Sequence, residues 1–360
     1  MGDAMGTPGF TTDKGRYQTG KLPARCERFM TDTEQHFETQ FASAGQHRVA
    51  YRISGAGSCD VLINPGLQSR INLIRSEPGH VNFRHGLESF SRCISFDGLG
   101  TGISDRPSMN NRSAVEDWVD SCGAVLDAVG STAPVIIGVF GSVHLVLQFV
   151  RRYPQRFSGL VLINTYTYAC WVSRSDYPEG TPPEEIANSR EFINKAWGRT
   201  GLPAPAAPSQ AGNEAFLQWN ATLQHVIATP NAVVAGLSVL AELDSRDVLP
   251  DIRVPTLVMA RTGLTPGAFA RTQCMATRVS HARFIELPGP DIAPCYETPE
   301  VVLRQIALHW KQACNFDLIC AIRTCRAAKT RSISTFHDGF RPERGSSSPC
   351  ESRSTKVMLS

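Results

Sequence analysis

The chain has 360 residues, of which 42% are hydrophobic and 19% charged, a composition typical of globular proteins. Its formal net charge is only +3, and segment 314–360 holds eight basic against four acidic residues, so the rest of the chain sums to about −1. Because the larger part of the chain has no positive excess, nucleic acid is not expected as a partner.

The eleven cysteines are scattered along the chain, with no C-x-x-C pair and no zinc-finger spacing. This pattern favours reduced, mostly buried thiols over a disulfide framework or a metal site, and therefore predicts a cytoplasmic protein. The sequence has neither an N-terminal apolar segment typical of a signal peptide nor an apolar run of about 18 residues. Neither export nor a contact with membrane is therefore predicted.

Residues 1–45 are polar, rich in Gly and Thr and without sustained periodicity, which predicts a flexible N-terminal extension. After it, short apolar runs predict strands, and apolar residues at helical spacing predict the helices between them. The predicted strands are 47–54, 60–64, 92–97, 134–140 and 159–165, and the predicted helices are 113–130 and 142–154.

The strand–helix alternation breaks at about 166–250, where Pro-rich joints separate helical segments. We interpret this region as an inserted helical lid, with helices near 190–197, 214–228 and 231–243. Two further strands (254–260 and 282–288) and a helix (299–313) follow, and the basic, Ser/Arg-rich segment 314–360 is predicted to be disordered.

The apolar character of the predicted strands indicates the fold class. Nearly continuous apolar strands separated by helices are typical of a mostly parallel central sheet with helices on both faces, an α/β fold. We therefore expect one domain over 46–313 that contains the lid.

Several segments resemble α/β-hydrolases. DGLGTGISDRP (97–107) is similar to the segment after the fourth strand, NPGL (64–67) to the loop that supplies an oxyanion-hole amide, and RVSHARFIELPGPD (278–291) to the last strand and its loop. DYPEG (176–180) and DVLPDIRVPTLVMARTG (247–263) resemble the hydrolase-like domains found N-terminal to class III adenylate/guanylate cyclases of actinobacteria. The resemblance implies an α/β-hydrolase fold and a Ser, Asp/Glu, His triad in that order.

The three triad positions implied by the resemblance hold apolar residues. The tip of the nucleophile elbow, GVFGS (138–142), is Phe140, the acid position in RTGLTP is Leu264, and the histidine position in LPGPDIAP is Ile292. A serine attacks because a histidine takes its proton and an acid orients the histidine. None of these three side chains has the needed atoms, so the sequence predicts no catalytic residue there and a degenerate triad.

Two polar residues near these positions are weak substitutes. Ser142 lies two residues after the tip and is better explained as the N-terminal cap of the following helix. Asp291 lies beside the histidine position and is better explained as a loop-capping carboxylate. His144 is expected at the surface or in packing, His281 at the end of the sheet away from the site, and His309 in a structural role.

The remaining shape predicts a pocket. The amides of Leu67 and Gly141 are expected to form an anion-attracting pair, and Phe140, Leu264 and Ile292 an apolar wall. Four lid aromatics either pack the lid onto the core, which is the simpler interpretation, or help to hold an apolar or aromatic ligand: Trp171, Trp197, Phe216 and Trp219. A phosphate loop is not predicted, because DGLGTG does not match G-x-G-x-x-G and no Walker lysine motif occurs.

Three functions stay open at this point. The first is a catalytically silent α/β-hydrolase-like protein, a small-molecule-binding or regulatory module related to hydrolase–cyclase proteins. The second is an active hydrolase of ester or related bonds with a displaced catalytic set that uses Ser142 or Asp291. The third is a nonfunctional remnant of a longer cyclase-linked protein, suggested by the abrupt change of composition at residue 314. No cofactor or metal is predicted, and the oligomeric state is open.

Overall fold

Strands and helices alternate along the part of the chain that the computed structural model describes, residues 38–64, 66, 70–107, 114–165, 180–199 and 206–314. The strands are β1 (Gln40–Ala44), β2 (His47–Ser54), β3 (Asp60–Ile63), β4 (Arg92–Phe96), β5 (Val135–Val139), β6 (Gly159–Ile163), β7 (Thr256–Arg261) and β8 (Ala282–Leu287). The helices are α1 (Pro78–Glu88), α2 (Ala114–Ala128), α3 (Ser142–Arg152), α4 (Pro183–Ala196), α5 (Glu214–Ile227), α6 (Pro230–Glu242), α7 (Pro266–Arg278) and α8 (Pro299–Cys314). Short 3-10 turns occupy Ile74–Ser76, Pro208–Gln210 and Leu249–Asp251.

The strands form one sheet in the order β1-β2-β4-β3-β5-β6-β7-β8. β2 pairs antiparallel with both β1 and β4, whereas every pair from β4 to β8 is parallel. The mostly parallel sheet expected from the apolar strands is confirmed. Because parallel strands end at one edge of the sheet, the loops after β3, β5, β7 and β8 meet there, where ligands bind in folds of this kind.

Apolar side chains hold helices against both faces of the sheet. On one face α2, α3 and α7 pack through a core that includes Trp118, Leu145 and Met275. On the other face α1 and α8 pack through residues that include Leu87 and Ile306. Each of these side chains is 2% exposed or less, and full burial of a large apolar side chain contributes roughly 1.5–3 kcal/mol. The predicted coverage of both faces is confirmed.

Three elements were not predicted from the sequence: β1, α1 and α7. β1 lies inside the predicted extension, so the boundary at residue 45 is corrected to before residue 40. Its sequence QFASA buries only Ala42, which gives too short an apolar pattern to recognise, and its pairing with β2 defines it. α1, with the sequence PGHVNFRHGLE, has weak periodicity, and it starts where the Glu77 carboxylate accepts the His80 amide at 2.8 Å.

The inserted region between β6 and β7 is helical, as expected, in the described segments 180–199 and 206–251. That it acts as a lid stays a prediction, and the name lid is kept below only as a label for this region. α4 starts at Pro183, earlier than the predicted 190, because Pro fits the first turn of a helix and Glu184 and Glu185 complement the positive end of its dipole. In the described part of the chain, no single helix has the length and apolar composition to cross a membrane. Taken together, α5 and α6 have the required length and apolar composition, but the pair is bent by 78° at the break between the two helices.

Candidate functional site

The turn between β5 and α3 has the backbone of a nucleophile elbow. Phe140 at its tip has φ 59°, a left-handed conformation that costs a non-glycine residue roughly 1–2 kcal/mol. The Phe140 amide donates to the Ile163 carbonyl at 3.0 Å, and its carbonyl accepts the Val143 amide at 3.2 Å. A Cβ at Gly138 would lie 3.2 Å from the Val143 Cα, so glycine lets the strand and the helix approach closely.

The hydroxyl of Ser142 is engaged by the strand that precedes it. It donates to the Val139 carbonyl at 2.7 Å and accepts from the Val139 amide at 2.8 Å. The residue at the cap of α3 is Gly141, and Ser142 is the first residue of the helix. The expected helix-capping role is therefore corrected, because this hydroxyl bonds the strand rather than the amides of the helix.

Asn64 fastens the loop after β3 to the elbow. Its Nδ2 donates to the Ser142 carbonyl at 2.8 Å, its Oδ1 accepts the Gly66 amide at 3.0 Å, and its own amide donates to the Ile137 carbonyl at 3.0 Å. The loop with the resemblance to an oxyanion-hole loop thus lies beside the elbow, while Leu67 itself is outside the described residues. The role of Asn64 was missed, although the residue lies in the quoted NPGL segment.

Asp291 and Asn164 organise the loop after β8. The Asp291 carboxylate is buried and accepts the Ser209 amide at 2.9 Å and the Ser209 hydroxyl at 2.5 Å. Asn164, which also has a left-handed φ of 47°, donates to the Ile292 carbonyl at 2.8 Å and accepts the Arg261 amide at 2.9 Å. These contacts support the interpretation of Asp291 as a capping carboxylate, here one that ties the loop to the lid.

A cavity of about 400 Å³ lies between the elbow, α1, α6 and the loop after β8. Phe140, Gly141 and Ser142 line its elbow end, and Ile292 lines it from the loop. Leu264 is half-buried in the turn after β7 and is not among the described residues that line the cavity. Phe140 and Ile292, two of the three positions that the resemblance assigns to a triad, therefore share this cavity, and Leu264 is not part of the described lining.

The lid aromatics pack rather than line the cavity. The Trp197 indole donates to two backbone carbonyls near the end of α5, and the Trp219 indole donates to the Ser76 hydroxyl at 3.0 Å. Phe216 is buried and packs on Trp219 with ring centroids 5.8 Å apart. The expected packing role is confirmed for these three, and Trp171 lies outside the described residues.

Three ionisable side chains of the described residues interrupt the apolar lining: His80, Arg84 and Cys295. The His80 Nδ1 lies 3.6 Å from the Cys295 Sγ. Burial lowers the pKa of His80 to about 4, while burial and the charge of Glu77 raise the pKa of the Cys295 thiol far above its usual range. Both groups are therefore neutral near pH 7. Sequence reasoning missed this pair because 215 positions separate its members.

Two of the remaining histidines have structural positions. His144 and His309 are 1% and 2% exposed, and burial lowers the pKa of His144 to about 4. His281 is exposed at the start of β8. The packing role predicted for His144 and the structural role predicted for His309 are confirmed.

No protein-family model matches the chain. The chain is 28% identical over 203 residues to a pimeloyl-acyl-carrier-protein methyl ester esterase of Aromatoleum aromaticum, and 25% identical over 175 residues to a protein of the same name from Yersinia enterocolitica. It is 23% identical over 162 residues to a cis-3-alkyl-4-alkyloxetan-2-one decarboxylase of Shewanella oneidensis. These matches span 52%, 47% and 41% of this chain and 76%, 65% and 48% of the relatives.

Solved structures define the fold. A bromoperoxidase from Bacillus anthracis superimposes with a TM-score of 0.63 at 16% identity, over 76% of this chain and 100% of that structure. An esterase from Exiguobacterium antarcticum superimposes with a TM-score of 0.61 at 18% identity, over 76% of this chain and 100% of that structure. The chain therefore has the α/β-hydrolase fold. Two of the proteins with similar sequences and one of those with similar structures are esterases. The finer resemblance to cyclase-linked domains stays a prediction.

Proposed function

We propose that this chain is a non-catalytic protein of α/β-hydrolase fold that binds an apolar small molecule in the cavity at its elbow. The observation that carries the proposal is Phe140, which occupies the elbow tip with φ 59° and lines the cavity together with Ile292. The backbone that would present a nucleophile is in place, but the side chain presented is a phenyl ring. The tip therefore contributes to binding and not to covalent chemistry.

The polar groups around the tip are engaged in holding the loops. Ser142 gives its proton and a lone pair to Val139, and the Asp291 carboxylate accepts two hydrogen bonds from Ser209. Withdrawing either group for catalysis would leave a buried partner unsatisfied, at a cost of about 1–3 kcal/mol. These contacts support binding over turnover.

The walls of the cavity suit an apolar ligand. Most lining side chains are aliphatic, and the lid closes the cavity with Leu237 and Leu240 of α6. A volume of about 400 Å³ falls within the range of small-molecule sites. The contribution to affinity is the removal of alkyl surface from water, at roughly 25 cal/mol per Å².

Calorimetric titration of the purified full chain with decanol tests the proposal, alongside hydrolysis assays with short p-nitrophenyl esters. We expect binding of decanol and no ester turnover above that of buffer. Leu237→Trp fills the cavity and should abolish binding, whereas Ala235→Trp, at an exposed position on the same helix, should preserve it. Binding unaffected by Leu237→Trp, or ester turnover by the purified chain, would contradict the proposal.

An active hydrolase with a displaced catalytic set is the second candidate. It is favoured by the similarity to esterases and by the Cys295–His80 pair, a thiol and an imidazole 3.6 Å apart in the cavity. A thiol is activated when a neighbouring base takes its proton. Against this, burial disfavours the thiolate of Cys295 and the imidazolium of His80 alike.

Nucleophile-specific labelling separates the two candidates. An active serine hydrolase would react with a fluorophosphonate probe and lose that reaction in Ser142→Ala. A cysteine enzyme would hydrolyse thioesters and lose that activity in Cys295→Ala, with Cys274→Ala, a half-buried thiol outside the cavity lining, as the matched control. We expect neither activity. If the parent chain shows either activity and the corresponding variant loses it, the second candidate is established.

A further inference from the structure

The α1 wall of the cavity carries a positive charge with few partners. Arg84 lines the cavity and is half-buried. Within the described residues its guanidinium makes one long contact, from Nη1 to the Ser54 hydroxyl at 3.5 Å. A guanidinium has five N–H donors. The other donors have no protein partner among the described residues, so the guanidinium can bind a group that enters the cavity.

Two further arginines lie close enough to Arg84 to interact with it electrostatically. Arg75 forms an ion pair with Glu88 at 3.6 Å, and both side chains are about 15% exposed or less. Arg52 donates to the Thr39 hydroxyl at 2.8 Å. Burial and the nearby Arg84 lower the pKa of Arg75 to about 10, and burial followed by Arg84 lowers that of Arg52. The three guanidinium groups therefore repel one another inside a partly buried region.

Among the described residues, the carboxylates near this cluster already have partners. They are Glu88, paired with Arg75, and Asp97, whose carboxylate accepts the amides of Ile71 and Ile103 at 2.9 and 3.1 Å. A third, Glu77, accepts the His80 amide at 2.8 Å. Among the described residues, none of the three carboxylates forms an ion pair with Arg84. A half-buried guanidinium without a carboxylate partner favours an anion from outside.

Most of the remaining lining is aliphatic. Its lining includes Ile63, Ile74, Leu87, Ile137, Leu237 and Ile292. His80 is neutral, because burial lowers its pKa to about 4, so Arg84 is the cation that the described lining offers. The arrangement combines one anion-binding end with a long apolar wall.

We propose that the ligand of this cavity is an alkyl carboxylate, with its carboxylate on the Arg84 guanidinium and its chain along the aliphatic wall beneath Leu237. This inference rests on the proposed binding function and assigns its ligand class. The planar guanidinium matches a carboxylate through two parallel hydrogen bonds, which a neutral head group cannot form.

The test compares decanoate with decanol on the full chain by calorimetric titration. Arg84→Met keeps an unbranched apolar side chain and removes the charge. Arg253→Met, at an exposed arginine just after the turn Leu249–Asp251, is the matched control. We expect Arg84→Met to weaken decanoate about tenfold or more and to change decanol less than about twofold. The control should change neither, and Arg84→Lys should fall between, because it keeps the charge without the fork.

The possible outcomes distinguish a failure of the proposed head-group assignment from a failure of the proposed binding function. Selective loss of decanoate in Arg84→Met supports the assignment, and unchanged decanol binding shows that the variant is folded. If decanol binds but decanoate does not, or if decanoate binds Arg84→Met as tightly as the parent chain, the assignment of the head group is overturned and the apolar site stands. If neither probe binds, the proposed function itself is overturned.

Discussion

Residue 140 combines an unfavourable backbone conformation with an apolar side chain. Its φ of 59° is held by hydrogen bonds to Ile163 and Val143 and by the close approach of α3 at Gly138. These constraints do not depend on the side chain at the tip. The free-energy cost of the backbone conformation can therefore be measured separately from the free energy contributed by packing of the phenyl ring.

Substitution of Phe140 by Gly and by Ala measures the backbone cost. Both variants remove the phenyl ring, but only Gly adopts a positive φ without strain, so Phe140→Gly should be more stable than Phe140→Ala by about 1 kcal/mol. Urea unfolding followed by circular dichroism gives the difference. Equal stability, or a more stable Ala variant, would mean that the turn does not hold residue 140 in this conformation.

At the scale of elements, the loop after β8 and the lid depend on each other through one carboxylate. Asp291 is fully buried and accepts both the amide and the hydroxyl of Ser209, in the short turn Pro208–Gln210. A second link is the hydrogen bond from the Ala293 amide to the Ala206 carbonyl at 2.9 Å. The segment before α5 is thereby attached to the loop after β8.

Removal of this carboxylate should loosen the lid locally. In Asp291→Ala the Ser209 amide loses its acceptor, so its hydrogen exchange should accelerate at least about tenfold, while amides in β5 and β6 change little. Asp291→Asn keeps an acceptor oxygen and should recover most of the protection. Exposed Asp251→Ala serves as the control. Unchanged exchange at Ser209 in Asp291→Ala would show that other contacts hold the segment.

The elements differ in how far the sequence could predict them. Strands such as β5 and β6 are buried along most or all of their length and are evident as apolar runs. By contrast, β1 buries one residue, and α1 begins at a glutamate rather than at one of the commoner capping residues. The elbow was predictable because its residues are consecutive. The place of Arg84 and of the His80–Cys295 pair in the cavity could not be predicted. The fold brings these residues together from segments that are far apart in the sequence.

At the scale of the whole molecule, buried neutral histidines couple stability to pH. Burial lowers the pKa of His80 and of His144 from 6.5 to about 4. The unfolded chain therefore binds more protons than the folded chain between these values. Stability contributed by the neutral rings is complete above pH 6.5 and is lost as pH falls towards 4.

The free energy of unfolding should accordingly fall between pH 7 and pH 4.5. Each pKa unit corresponds to about 1.4 kcal/mol per histidine, so the loss is on the order of a few kcal/mol. His144→Gln should flatten the pH dependence, and the exposed His281→Gln should not. A slope unchanged in His144→Gln would contradict the assignment.

The position of Asn64 has a consequence for engineering. Three hydrogen bonds from this one residue hold the loop after β3, the end of β5 and the start of α3 together, and none of them involves the side chain at position 140. The backbone at position 140 therefore keeps its orientation whatever the side chain. A serine or cysteine substituted there would be presented as a nucleophile is at the tip of an elbow. A base would have to be supplied at position 292 as well, because that residue is an isoleucine whose carbonyl is already bonded to Asn164.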